Sequence, residues 1–149
     1  MPSLWQEQMN IARRMLLVVC VVTAMVALLV GAQMVLAPDG SMLGFDTSLL
    51  SRFPGGGPDG SGFFSNWFGP GLLLLLLVFL PNAACALLAF AGQPVAHWLC
   101  GVCGGILIAL CLGSIFFLFS FMEILGIAVG ALQIMTSLRC VRAHRALTV

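Results

Sequence analysis

Met15–Ala37 reads MLLVVCVVTAMVALLVGAQMVLA, a run without one charged side chain. At ~1.5 Å of rise per residue a helix of this length crosses the ~30 Å hydrocarbon core of a bilayer. A secretory signal core would be shorter, about 7–15 residues, and cleavage after Ala37 would leave Pro38 at the new terminus. The run is therefore read as a retained transmembrane helix, stopped by Pro38 and turned by Asp39-Gly40.

Three further apolar runs follow, at 70–92, 97–119 and 121–138. Four spans use more than half of the 149 residues and leave no room for a separate soluble domain. Composition agrees: 61% of residues are hydrophobic and 7% are charged, against about 25% charged in a soluble domain. The expected fold class is all-α, a single antiparallel four-helix transmembrane bundle. Its partners are first the lipid bilayer, then a membrane-protein partner or a second copy in a homodimer. A net charge of +1 with no basic stripe excludes nucleic acid.

The polar segments set the organisation. Residues 2–14 form a short lead in which Leu4, Trp5, Met9 and Ala12 share one helical face. Residues 38–69 make the one sizeable loop, where Asp46 is placed to cap a short helical turn through Leu49 and Leu50. Pro54–Gly62, PGGGPDGSG, reads as a flexible link. Phe63-Phe64-Ser65-Asn66-Trp67-Phe68 is expected at the membrane interface. Pro70 suits the first position of the second helix, and Leu72–Leu77 suits lipid contact. Pro81 predicts a kink. Ser120 and Glu123 have capping-box spacing at the start of the fourth helix, with Phe119 and Ile124 as its staple.

Arg13 and Arg14 flank the first span, and Arg139, Arg142 and Arg145 follow the fourth. The long loop sets Arg52 against Asp39, Asp46 and Asp59. The positive-inside rule then places both termini in the cytoplasm and the loop outside.

Few residues offer chemistry. Cys100-Gly101-Val102-Cys103 has the spacing that brings two sulfurs together in thiol oxidoreductases, and a quinone-linked enzyme of that kind is the third functional reading. The loop lacks a second cysteine pair to pass electrons on. Two Cys and the nearby His97 do not complete a zinc shell. No catalytic residue, metal site or cofactor is expected. Gly101 with Gly105, and Gly126 with Gly130, are helix-packing candidates. Asn82, Gln33 and Gln133 are the intramembrane polar candidates, each needing a partner in a medium without water.

The stretches Leu36–Phe45 (LAPDGSMLGF), Phe68–Leu74 (FGPGLLL) and Pro81–Ala84 (PNAA) carry a resemblance. Over residues 15–92 the chain resembles a group of small bacterial four-span integral membrane proteins of unknown function. Those proteins share a turn of this type after span one and an aromatic approach to a leucine-rich span two. The glycine-rich stretch Gly55–Gly62 departs from that group, where a shorter link is expected. The resemblance implies a bacterial cytoplasmic (inner) membrane and brings no activity with it. A looser similarity to L6-type animal tetraspan proteins lies around Trp67 and span four, without their cysteine-bearing second external loop. The leading expectation is a non-enzymatic accessory, interaction or structural membrane component. The alternative is a small homodimeric transporter or lipid-binding protein, with Asn82, Pro81, Gln33 and Gln133 along its path.

Overall fold

The computed structural model describes residues 4–57, 59–115 and 121–148. Helix α1 spans Leu4–Leu36. The second span is built from α2 (Phe68–Leu74), a π-helical turn (Leu75–Phe79) and α3 (Leu80–Phe90). Helices α4 (Val95–Ile115) and α5 (Phe121–Thr148) complete four helical spans long and apolar enough to cross a membrane. They run up and down as an antiparallel bundle. The second span packs on α1 and α4, α5 packs on the same two, and α1 and α4 are diagonal neighbours. Both termini therefore lie at one end and the long loop at the other.

Residue size is distributed inside out. Along α1 the buried positions are Ala12, Leu16, Cys20, Thr23, Ala24, Ala27 and Gly31, in steps of three and four. Val18, Val22, Met25 and Leu29 on the opposite face are more than half or about half exposed. Lipid solvates large aliphatic side chains as well as a protein core does. Association in a bilayer is therefore driven by close backbone approach and polar pairing, which small residues permit. The tightest crossing is α4 on α5. A Cβ on Gly130 would sit 2.8 Å from the Gly104 carbonyl oxygen, and one on Gly101 would sit 2.8 Å from Ser137 Oγ. A Cβ on Gly126 would collide with Cys111 Sγ.

This corrects one packing candidate. Gly101, Gly126 and Gly130 lie in the contact, but Gly105 meets nothing within 4 Å, and Gly104 takes its place. A second close crossing, α1 on α2, uses Gly31 and Gly71: a Cβ on Gly71 would lie 2.6 Å from Met34 Cβ.

The two outer helices are longer than the apolar runs predict. α1 begins at Leu4 rather than Met15, because Ala12 extends the buried stripe and Arg13 has work at the adjoining helix end. Arg13 Nε donates to Ala89 O at 2.7 Å and Nη2 to Phe90 O at 2.8 Å. These are orphan carbonyls at the end of α3, where a cation also complements the helix dipole. Gly92 (φ 76°) closes the same end: its N–H meets Ala89 O, and Gln93 N–H meets Leu88 O. Both bonds form a Schellman cap, and the left-handed residue it needs is glycine. α5 runs past Leu138 because Cys140 and Ala143 continue the buried face of Gln133 and Ser137. Ser120 and Phe119, the expected cap and staple, lie outside the described residues.

The second helix starts two residues before Pro70, whose missing N–H still falls in the first turn, where donors have no helical partner. Pro81 cannot donate to the turn before it. The chain answers by widening to π geometry just upstream, with Leu80 N–H reaching back to Leu75 O.

In the loop, Asp46 caps a 3-10 turn over Thr47–Arg52, accepting from Ser48 N–H at 2.8 Å. Trp67 is buried against the loop, its ring 5.2 Å from that of Phe45 and its backbone N–H on Pro38 O. Phe63 and Phe68, at half and 45% exposure, remain outside. Gly40 (φ 79°) is required here, since a Cβ would strike Phe45 O. Pro54–Gly62 forms no helix or strand among its described residues, but turns back so that Gly57 N–H meets Phe64 O and Phe53 stacks on Phe64.

Two outcomes follow. Gly104→Val overpacks the α4–α5 crossing and should cost about 1–3 kcal/mol, while Gly105→Val should stay within about 0.5 kcal/mol; unfolding in detergent micelles compares them. The Ser48 backbone and side chain hold the Asp46 carboxyl below the usual carboxylate range. A depressed folded pKa means the cap is present at neutral pH and lost as pH falls through that lowered value. Exchange of the Ser48 amide hydrogen should therefore stay slow until the pH is below the ordinary aspartate range, and Asp46→Asn should weaken that dependence.

Candidate functional site

Polar groups inside the bundle gather in one layer between the middle and the terminal end. Asn82 and Gln133 are fully buried, and Gln133 Nε2 donates to Asn82 Oδ1 at 2.6 Å. Asn82 Nδ2 donates to Val78 O at 2.9 Å, inside the widened turn before Pro81. This joins two of the three polar candidates across α3 and α5. Gln33 is not among them. It is half-buried, near the end of α1 that adjoins the loop. Two neighbouring hydroxyls tie off backbone oxygens: Thr136 donates to Leu132 O and Ser137 to His97 O.

The Gln133 side-chain oxygen has no partner among the described residues, although it is buried. Such an atom forfeits its hydration without compensation.

Directly against this layer lie three thiols from three helices. Cys20 (α1), Cys85 (α3) and Cys100 (α4) are each fully buried. Cys20 Sγ is 3.5 Å from Cys85 Sγ and 3.7 Å from Cys100 Sγ, and all three sulfurs fall within 4.8 Å of one another. A disulfide requires about 2.05 Å, so these are free thiols, as are the other cysteines. Cys85 Sγ also contacts Ala96 O at 3.3 Å, and Cys100 Sγ contacts Gln133 O at 3.5 Å. Cys103 and Cys140 belong to the same buried cluster. At the terminal end, His97 lies one turn before Cys100, its ring centroid 6.1 Å from that of His144. A cavity of about 300 Å³ opens there between Pro94, His97, Trp98 and His144.

The sequence reading paired Cys100 with Cys103; the fold sets the Cys100 sulfur beside Cys20 instead. Neither Cys20 nor Cys85 was singled out, yet a signal existed. Cys85 lies five residues before Phe90 and Cys100 five residues after Val95, the two helix ends at the short turn. Residues placed symmetrically about a hairpin sit at equal depth. Arg13, which grips the end of α3, fixes Cys20 two turns further along α1 at that depth too.

Such an arrangement can hold a thiophilic ion, or form a sulfur–sulfur bond on oxidation. Comparison with family models, curated proteins and solved structures gave no match for this chain.

The amide pair is testable by a double-mutant cycle. Asn82→Leu or Gln133→Leu alone leaves the other amide buried and unpaired, at a cost of about 1–3 kcal/mol. The double variant should recover part of that loss, giving a coupling of about 0.6–1.7 kcal/mol in detergent unfolding.

Proposed function

We propose that this multi-pass membrane protein is a non-enzymatic accessory or structural component of a bacterial cytoplasmic membrane. In this reading both termini face the cytoplasm, as the Arg13, Arg14, Arg139, Arg142 and Arg145 end prefers. One observation carries the role. Among the described residues the buried polar side chains are Thr23, Asn82, His97, Gln133, Thr136 and Ser137, with no carboxylate, lysine or arginine. Proton-coupled transport and acid–base catalysis within a membrane rely on ionisable groups facing the bundle interior, and besides the thiols the described interior holds only His97, at the terminal end. Here Gln133 donates to Asn82, and Asn82 and the hydroxyls donate to backbone oxygens, which suits a bundle that binds rather than turns over. Among the described residues nothing lies within 4 Å of a Cβ on Gly105 or Gly113, which leaves room for a close helix–helix contact with a partner or a second copy. The resemblance to small bacterial four-span proteins is consistent with this role.

A lipid-binding reading draws on a different feature. Between α1 and α5 a groove of about 410 Å³ is lined by Ile11 and Met15 on one side and by Arg139 and Arg142 beside them. Apolar stems next to guanidinium groups suit an anionic headgroup and the start of its acyl chain.

Gentle detergent extraction from the native membrane followed by native mass spectrometry separates the two. A stoichiometric second protein supports the accessory role. A homo-oligomer retaining an anionic lipid that Arg139→Gln with Arg142→Gln releases supports the other. A bare monomer would sink both.

A further inference from the structure

We propose that Cys20, Cys85 and Cys100 form an intramembrane site for a soft monovalent cation of the Cu(I) class. The site goes beyond the accessory role and does not depend on it.

Geometry is the first support. Three sulfurs bound to one ion at roughly 2.3 Å lie on a triangle of edge about 4 Å. The observed separations of 3.5 and 3.7 Å, with the third side inside 4.8 Å, each lie within about 0.8 Å of that edge. Cysteine burial as a small hydrophobe explains each thiol singly. It does not explain why one from each of three helices meets at a point.

Ligand type is the second. Soft thiolate and thioether donors select Cu(I), whereas a structural zinc site closes its tetrahedron with four ligands. The cluster offers three sulfurs. Charge favours a monovalent ion as well. Loading exchanges one thiol proton for the ion: one S–H bond breaks, the thiolate binds the ion, the two neutral sulfurs each donate a lone pair to it, and the proton leaves to water. One thiolate and two neutral sulfurs then hold the ion, and the apolar bundle gains no net charge. An uncompensated charge there would be heavily penalised.

The surroundings are the third. Gln133 contacts Cys100 through its backbone oxygen and leaves its side-chain oxygen buried without a partner among the described residues. The layer beside the thiols thus keeps an unfilled acceptor. On the other side, the cavity at His97 and His144 reaches within one helical turn of Cys100 and gives an approach from the terminal end.

The test uses the full chain in detergent, reduced and anaerobic, titrated with Cu(I) against a chromophoric competitor. The expected result is one Cu(I) per chain, with sulfur-only scattering near 2.3 Å by X-ray absorption. Cys20→Ser, Cys85→Ser and Cys100→Ser should each weaken binding at least about 100-fold, a loss near 2.7 kcal/mol. Cys111→Ser and Cys140→Ser should leave it unchanged. Thermal unfolding of each apo variant shows that it is folded, and Cys→Ala variants at the same three positions repeat the measurement with an apolar replacement. Binding that survives in the folded triad variants would overturn the site. So would equal loss in Cys140→Ser, which would mark a diffuse thiol effect. Tight Zn(II) binding at the same three residues without Cu(I) binding would overturn the ion class.

Discussion

Close backbone approach between helices in lipid is the interaction on which the rest of the structure depends. Outside the bundle, lipid tails match Leu and Val, so burying those residues gains little. Only small or polar surfaces profit from contact, and the chain puts them inward: Ala12, Cys20, Ala24, Ala27 and Gly31 on α1, and Gly101, Gly104 and Gly130 at the α4–α5 crossing. The thiols are part of this economy of size. Cysteine is small enough for a close crossing, and unlike serine it does not demand a strong hydrogen bond when buried. A bundle built on small residues therefore admits thiols at its centre at little cost.

The same constraint explains what could be read from the chain alone. Hydropathy over about 20 residues reports the choice between lipid and water, so the four spans and the hairpin turn were visible directly. Asp46 was legible because a cap is a local matter of one side chain and the amide two residues on. Helix ends were harder. The apolar run begins at Met15, but α1 begins at Leu4, since Ala12 and Arg13 are held by partners some 76 residues away in sequence. Gly105 misled because a glycine spacing fixes a helix face without saying which of two adjacent glycines points inward. Gly104 does so because the rotation of α4 is set by Ser137, Gln133 and Gly130 on the other helix.

The polar layer shows a further limit of reading one segment at a time. Asn82 was identifiable as needing a partner, and Gln133 as another residue in the same position. Pairing them requires the relative depth of two helices. Depth follows from the turn at Gly92 and the grip of Arg13 on α3, and those same features level Cys20, Cys85 and Cys100. The Cys100-x-x-Cys103 spacing drew attention to a pair on one helix, whereas convergence across helices decides which sulfurs meet.

Directed contacts distinguish these thiols from inert filling. A thiol packed as a hydrophobe has no reason to aim at a carbonyl, yet Cys85 Sγ faces Ala96 O and Cys100 Sγ faces Gln133 O, each on a neighbouring helix. Those oxygens offer a place for the S–H protons of Cys85 and Cys100, and a sulfur that donates outward turns its lone pairs the other way. Cys20 stands 3.5 and 3.7 Å from the two sulfurs. Three helices thus supply a converging set of sulfur donors, two of which face a carbonyl oxygen at the edge of the cluster. Ala would also suit a close crossing at these positions, so convergence together with orientation is what separates a ligand set from a core.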